Sequence, residues 1–321
     1  MNYSNEEIRE EDIRDENELV NIIAGMSYPV EGFPKLLYEL SYNLEGFEVK
    51  FRNNQDREVK PDIVIGSDNK GILILFEAKS GKNVEDEQIE NYSNIKKDDL
   101  IDNALFGESL LRNGHDIAYV CYENTFVTDQ ETGITKKLKG FDNIIKGIKG
   151  KYNFPVLVFD KDRSILSLNF ENFKDKHLTD ELSKEIKIPN TIPNIINFDH
   201  HSPKSEIAEE IIRNISSYRL QEKSEFTIEE ILHDILSPYP DIVHLIPSDV
   251  QVAVKRKVIK LLPFISKKTS YIEWVKPRWI INDKFNLHPS QLKSLENLIV
   301  ELKKLENSKE NNQGQLSLKF Q

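Results

Sequence analysis

The spacing of hydrophobic and polar residues changes character part-way along the chain. Up to residue 170, short apolar runs bounded by Gly, Asn and Asp alternate with segments in which apolar residues recur at helical spacing. The pattern predicts helices over residues 33–44 and 84–106, and strands over residues 47–51, 62–67, 72–79, 117–122, 154–159 and 164–168. We therefore expect a mixed α/β domain with a central sheet.

A second pattern follows a segment rich in proline and asparagine. Three prolines interrupt the periodicity between residues 188 and 203, as is typical of an interdomain linker. Beyond it, helical spacing covers residues 207–218, 227–236, 250–264 and 290–305, and a strand is predicted over residues 271–275. Thr227 and Glu230 have the spacing of a capping box. Three helices followed by a strand or hairpin fit a winged helix-turn-helix module, and a plain helical bundle fits nearly as well.

These patterns predict four segments. Residues 1–187 form the α/β domain, with an acid-rich lead-in, residues 4–20, that is either flexible or the first turns of a helix. Residues 188–204 form the linker and residues 205–308 the mainly helical domain. Residues 309–321, rich in Asn and Gln, form a flexible tail.

Composition narrows the function classes. The 321 residues include 43 Lys plus Arg and 54 Asp plus Glu, and the net charge of -11 excludes a protein that coats nucleic acid indiscriminately. The longest apolar run is far shorter than the roughly 20 residues of a membrane helix, so we expect a cytoplasmic protein without a membrane partner. Its single Cys excludes an intramolecular disulfide and any metal site built from several thiolates.

The segment PDIVIGSDNKGILILFEAKSG, residues 61–81, carries the strongest chemical signal. Its DNKG turn predicts a hairpin in which Asp62 lies directly opposite Glu77, with Cβ atoms about 5 Å apart. Lys79 lies two residues after Glu77 and shares its face of the strand. Two carboxylates this close repel each other, and a divalent cation between them would offset the repulsion. Oxygen ligands without a His or Cys cluster favour Mg²⁺, or Mn²⁺, over zinc.

These residues resemble the PD-(D/E)XK nuclease superfamily. Pro61 and Asp62, fourteen intervening residues, and then Glu77-Ala78-Lys79 match its signature, and the resemblance covers roughly residues 30–125. Gln88 and Tyr92, in QIENY, match the Q-x-x-x-Y motif of the RecB-like branch.

The resemblance implies a restriction-endonuclease-like core and a set of roles for individual residues. Asp62, Glu77 and the backbone carbonyl of Ala78 would hold the metal ion. Lys79 would be the activating base or a charge stabiliser, and Gln88 and Tyr92 would support the site. The family often adds a glutamate from the first helix, for which Glu39 is the candidate and Glu31 the alternative.

A basic segment in the C-terminal half predicts contact with DNA. Residues 254–279 hold eight Lys or Arg and one acid, interleaved with aromatic residues. A helix with a following aromatic strand would serve as a phosphate-contacting element, and a solvated helix face with core tryptophans is the alternative. The candidate DNA-binding residues are Lys255, Arg256, Lys257, Lys260, Lys267 and Lys268.

The last seven residues, QLSLKFQ, retain apolar side chains where a disordered tail normally has few. Gln315, Leu316, Leu318 and Phe320 fill the positions of a pattern, Q-L-x-L-x-F, that resembles the bacterial peptide binding the replication sliding clamp. The resemblance implies a clamp partner. A C-terminal strand that docks on its own domain is the alternative.

Together these features predict a Mg²⁺-dependent deoxyribonuclease acting in phage defence or restriction, or in DNA repair. A catalytically silent nuclease-fold protein that binds DNA or a partner is the alternative from a different class. RNA is a weaker candidate substrate, because no RNA-binding signature is present. A homo-oligomer is compatible with the sequence.

Overall fold

The computed structural model describes residues 16–80, 86–128, 135–148, 152–198 and 202–317. The chain divides into two compact units, Met1–Pro193 and Asn194–Gln321. The division falls within the proline-rich segment between residues 188 and 204, where periodic spacing of apolar residues is interrupted.

The first unit is an α/β structure in which short helices alternate with strands. Its described elements, in chain order, are α1 (Glu16–Ser27), α2 (Leu36–Glu39), β1 (Asn43–Phe47), β2 (Phe51–Arg52), β3 (Glu58–Val59), β4 (Ile63–Ser67), β5 (Ile72–Lys79), α3 (Asp86–Ser93), α4 (Lys97–Asp102), β6 (His115–Tyr122), β7 (Asn124–Thr128), β8 (Thr135–Lys139), α5 (Gly140–Ile148), β9 (Val156–Asp160), β10 (Ile165–Phe170), α6 (Lys176–Leu182) and β11 (Ile186–Lys187).

A seven-stranded mixed sheet, in the order β1-β4-β5-β6-β9-β10-β11, forms the centre of this unit. β5, β6 and β9 run parallel to one another, and the other neighbouring strands pair antiparallel. The first seven residues of β5 are buried, as its uninterrupted apolar sequence predicts for a strand covered on both faces. On one face, alternate residues of β5 and β6 share a hydrophobic core with side chains of α3 and α5.

The beginning of the first unit differs from the sequence prediction. The helix predicted over residues 33–44 is wrong beyond the four residues of α2, because Ser41 turns the chain with a positive φ of 63°. β1 then pairs with β4, with Leu44 opposite Ile65, so ladder hydrogen bonds replace the helical ones. The long first helix is α1, which includes the end of the acid-rich lead-in.

The helix predicted over residues 84–106 is also interrupted. Ile95 N donates to Tyr92 O, and Lys96 N donates to the Asp99 carboxylate at 2.8 Å, so α3 ends and α4 begins within a few residues. An acidic side chain that caps a new helix start is favourable, since it satisfies a free backbone N–H group. The strand predictions between residues 115 and 170 are confirmed to within two residues.

The second unit is mainly helical and contains a small three-stranded sheet. Its described elements are α7 (Lys204–Leu220), β12 (Glu225–Phe226), α8 (Ile228–Leu236), α9 (Ser248–Thr269), β13 (Ile272–Val275), β14 (Arg278–Ile281) and α10 (Pro289–Ser317). The sheet order is β12-β14-β13, and all pairs are antiparallel. The capping box of α8 is confirmed, since Thr227 and Glu230 exchange hydrogen bonds of 3.1 Å and 2.6 Å.

The last helix is longer than predicted. α10 continues to Ser317, whereas the sequence pattern predicted that it ends at residue 305 and that a flexible tail begins at residue 309. No proline interrupts residues 305–317, and Glu, Lys, Leu and Gln in this stretch are good helix formers. Within the described parts of the chain, no helix is both long enough and apolar enough to cross a membrane.

Candidate functional site

The register of the β4–β5 hairpin brings Asp62 and Glu77 together. Ile65 pairs with Ile74 and Ile63 with Phe76, so the predicted register is confirmed. Asp62 immediately precedes β4, and the next pair along the ladder would be Asp62 and Glu77. The rigid central strand β5 therefore carries Glu77 and Lys79, and the start of its neighbour carries Asp62.

Glu77 is the centre of a hydrogen-bond network. It is buried, with 4% of its surface exposed, and both of its carboxylate oxygens are engaged. Oε1 accepts a hydrogen bond of 2.6 Å from Gln88 Nε2 and lies 2.7 Å from Lys79 Nζ. Oε2 accepts a hydrogen bond of 2.6 Å from the Tyr92 hydroxyl. Charge-assisted hydrogen bonds of this length hold the carboxylate in one orientation.

Gln88 and Tyr92 lie four residues apart on α3, and both of them point at Glu77. Residues at this spacing share a face of an α-helix. α3 packs into the hydrophobic core through Ile89 and Tyr92, which fixes this face against the sheet. The two side chains thus contact one candidate metal ligand directly, and they orient it.

Asp62 is held by the backbone of β5. Its Oδ2 accepts a hydrogen bond of 2.7 Å from Ala78 N, and Oδ1 has no hydrogen bond within the described parts of the chain. Burial raises the pKa of Asp62 well above its usual range, and the neighbouring Glu77 raises it further, whereas the Ala78 N–H and Lys79 oppose the shift. A cation beside Asp62 would remove this penalty on its ionised form.

The Ala78 carbonyl faces the same side of β5 as its N–H group. In an antiparallel ladder one residue directs both groups to the same neighbouring strand, here the β4 side. The ladder between β4 and β5 ends with the pair Ile63 and Phe76, so Ala78 lies beyond the paired part of β4. Its carbonyl is therefore available beside Asp62 as a third oxygen ligand.

Lys79 lies among acidic groups. Burial lowers the pKa of Lys79, but the nearby Glu77, Asp62 and Glu16 carboxylates outweigh that effect and raise it. With 18% of its side chain exposed, the ammonium group is close to the surface of the site and bonded to Glu77. This environment favours the protonated amine.

Glu16 is the residue that sequence analysis missed. It begins α1, and its Oε1 accepts a hydrogen bond of 2.8 Å from Ser80 N, at the end of β5. Its charge acts on both Asp62 and Lys79.

The candidates Glu39 and Glu31 are exposed, and neither is among the charges that act on Asp62 or Lys79. The helical spacing of apolar residues in ENELVNIIAGMS predicts a first helix that begins at Glu16, and this pattern could have indicated Glu16 as a candidate.

Tyr119 is a second residue that the sequence did not indicate. It lies on β6 beside Glu77 in the parallel register, and its side chain is fully buried. Its hydroxyl has no hydrogen-bond partner within the part of the chain that the structure describes. Burial raises the pKa of Tyr119, and the charges of Glu77 and Asp62 raise it further. The Tyr119 hydroxyl is thus a buried polar group without a hydrogen bond among the described residues, on the strand next to Glu77.

An open cleft leads to these side chains. It has a volume of about 420 Å³ and lies between the β2–β3 hairpin and α3. The lining residues are Glu58, Val59, Lys60, Asp62, Glu77, Lys79, Glu87, Gln88, Asn91 and Tyr92.

The donor set in the cleft fits a hard cation. Two carboxylates and one backbone carbonyl supply oxygen ligands, and Mg²⁺ is commonly bound by one or two carboxylates with water completing its shell. A cage built from protein side chains alone is not present, since the described ranges contain no group of three or more His, Cys, Asp or Glu arranged to hold a metal. An ion bound by the oxygens of Asp62, Glu77 and Ala78 would complete its shell with water.

The other predicted site residues lie in the second unit. All six candidate DNA-binding residues are on α9. Gln315 and Leu316 belong to the last turns of α10, and Leu318 and Phe320 lie outside the described residues.

The first unit is thus an α/β structure in which buried Glu77, near the end of the central strand β5, and partly buried Asp62, just before β4, line one cleft. The chain belongs to the MJECL32 domain family, whose model matches residues 15–197. A curated relative, the uncharacterized protein MJECL32 of Methanocaldococcus jannaschii, is 33% identical over 91 residues, which are 25% of this chain and 20% of the relative. The chain therefore aligns with about a fifth of the relative's length. No solved structure matches the chain.

Proposed function

We propose that this protein is a Mg²⁺- or Mn²⁺-dependent nuclease that hydrolyses phosphodiester bonds of DNA. The observation that carries the proposal is the pair of facing carboxylates, Asp62 and Glu77, with the Lys79 ammonium 2.7 Å from Glu77 Oε1. The element order around them, with a helix before the sheet and α3 after β5, agrees with the resemblance to the PD-(D/E)XK core. The cleft gives a phosphodiester access to the pair.

Each residue has a defined task in this proposal. Asp62, Glu77 and the Ala78 carbonyl would hold the ion, which supplies a water of lowered pKa and polarises a phosphoryl oxygen. Gln88 and Tyr92 keep Glu77 in its binding orientation through hydrogen bonds of 2.6 Å each. The Lys79 ammonium would approach the phosphate and stabilise the negative charge that develops on it.

The second unit would hold the nucleic acid. Helix α7, strand β12, helices α8 and α9 and the hairpin β13–β14 follow one another in the order of a winged helix. A long helix with a following hairpin is an arrangement by which such modules reach a DNA groove and the phosphates beside it.

A sliding clamp remains a proposed partner through Gln315, Leu316, Leu318 and Phe320. Gln315 and Leu316 are helical in α10, so an extended bound peptide would require its last turns to unwind. Such tethering suits both host defence and DNA repair.

Cleavage of supercoiled and linear DNA in Mg²⁺ tests the proposal. Asp62→Ala and Lys79→Ala are each expected to reduce the cleavage rate by about 10²-fold or more, because the first removes a ligand of the metal ion and the second removes a positive charge that would stabilise the transition state. Asp180→Ala, which removes an exposed carboxylate of α6, is the matched control and should cleave like the wild type. Equal cleavage by all four proteins, or cleavage that persists in EDTA, would overturn the proposal.

A further inference from the structure

Helix α9 has one buried face and one exposed face that no described element covers. The residues that point into the core recur at helical spacing from Val250 to Ile265. The opposite face carries the exposed residues Val252, Arg256, Ile259, Lys260, Pro263 and Lys267. At 100° per residue these six positions fall within about 100° of one another, so they form one continuous stripe.

The six candidate DNA-binding residues of α9 fall into two groups. Three of them already contact other groups of the second unit. Lys255 Nζ lies 3.0 Å from Glu229 Oε1, and Lys268 Nζ lies 2.7 Å from Glu301 Oε1. Lys257 Nζ donates a hydrogen bond of 2.7 Å to the Ser202 carbonyl. These three lysines therefore already have partners within the unit.

Arg256, Lys260 and Lys267 form the other group. They are exposed, and within the described ranges none of them makes a hydrogen bond or an ion pair. The exposed face of α9 also carries one acidic residue, Asp249, in the first turn. Arg256, the first of the three cations, follows two turns later. Three uncompensated cations in a chain with a net charge of -11 mark a local surface for an anionic ligand.

We infer that Arg256, Lys260 and Lys267 bind the phosphates of duplex DNA, with Val252 and Ile259 turned toward the groove between them. This inference rests on the proposed function for DNA as the ligand, and it names the surface that holds it. Lys260 and Lys267 are seven residues apart, or about 10 Å along the helix, which is close to the roughly 12 Å width of the major groove. Exposed branched apolar side chains suit contact with thymine methyl groups.

Duplex DNA fits this stripe better than an acidic protein does. A continuous polyanion supplies phosphates along the whole length of the stripe, and each phosphate contact releases condensed counterions. The binding free energy of such a contact depends linearly on the logarithm of the salt concentration, with a slope set by the number of contacts. Binding of duplex DNA through this stripe therefore predicts how much the slope of log K against log salt falls when the exposed cations are removed.

The test measures binding of the full-length chain to a fluorescent duplex as a function of salt, in EDTA and with Asp62→Ala in every protein to prevent cleavage. R256Q/K260Q/K267Q removes the exposed cations. K255Q/K257Q/K268Q removes the same charge from the paired group, and K255Q/K268Q is a second control that keeps the Lys257 bond to Ser202. Fluorescence of Trp274 and Trp279, both in this unit, reports whether each variant is folded.

The exposed triple variant is expected to reduce the slope of log K against log salt by about 2 to 3, whereas each control reduces it by less than about 1. Equal slopes for exposed and paired variants, no effect of the exposed triple variant, or no duplex binding by the parent protein would overturn the inference. Mg²⁺-dependent cleavage with unchanged binding slopes would remove this surface and leave the proposed function standing. If the slopes are as expected but the protein with Asp62 intact does not cleave DNA, the DNA-binding surface would stand and the proposed nuclease function would fall.

Discussion

Charged side chains are arranged in opposite ways at the Asp62–Glu77 pair and on α9. At the pair, Glu77 is buried and Asp62 is partly buried, and protein groups within 3 Å satisfy three of the four carboxylate oxygens. On α9, three cations are exposed without a partner within the described ranges. The first arrangement fixes geometry, as a site for chemistry would require, and the second would attract a charged ligand without fixing it. The two regions should therefore respond differently to mutation.

The largest contrast in stability is expected from Tyr92→Phe. Removing this hydroxyl takes a buried hydrogen bond of 2.6 Å from the Glu77 carboxylate and should lower the free energy of unfolding by about 2 kcal/mol. Lys260→Ala, on the exposed stripe, should change it by less than about 0.5 kcal/mol. Urea unfolding followed by circular dichroism measures both values.

Tryptophan fluorescence adds an internal control to this experiment. Both tryptophans, Trp274 and Trp279, lie in the second unit, so their signal reports that unit and not the carboxylate pair. A Tyr92→Phe protein that unfolds at the wild-type urea concentration would show that the network around Glu77 contributes nothing to the fold. The contrast between the two regions would then disappear.

A smaller effect of the opposite sign is expected from Tyr119→Phe. The hydroxyl is buried and has no partner among the described residues, so its loss should leave the free energy of unfolding unchanged or raise it by about 1 kcal/mol. Tyr42→Phe is the matched control, because the Tyr42 hydroxyl donates to Asp175 at 3.1 Å and its loss should destabilise the protein by about 1 kcal/mol. Comparable destabilisation in both variants would mean that Tyr119 has a partner, such as a buried water.

The sequence predicted the local geometry of the carboxylate hairpin because that geometry depends on nearby residues. A turn of known length fixes the register, and the register places Asp62 opposite Glu77. The spacing of Gln88 and Tyr92 likewise predicted a shared helix face. Their direct bonds to Glu77 needed the structure, since they depend on how α3 packs against the sheet.

The position of Glu16 near the site also depends on tertiary packing. The helical spacing of residues 16–27 could have indicated α1, but the contact of Glu16 with Ser80 joins residues 64 positions apart, and no local pattern encodes such a contact. The acid-rich lead-in also obscured the start of α1.

The sequence also could not predict which basic residues of α9 are paired and which are exposed. Lys255 and Arg256 are neighbours in the sequence, yet one pairs with Glu229 and the other is exposed. Partners 26 and 33 residues away decide which lysines are neutralised, and they depend on how α8 and α10 pack beside α9. Net charge along the sequence therefore identified the basic segment but not which of its cations are exposed without a partner among the described residues.

The most direct test of the carboxylate pair is a calorimetric titration of Mn²⁺ into the metal-free protein. We expect one Mn²⁺ site in the wild type, an affinity at least about 10-fold lower for Glu77→Gln, and unchanged affinity for Lys260→Ala. Absence of Mn²⁺ binding by the wild type, or equal affinity for the wild type and Glu77→Gln, would contradict the assignment of Asp62 and Glu77 as a metal site.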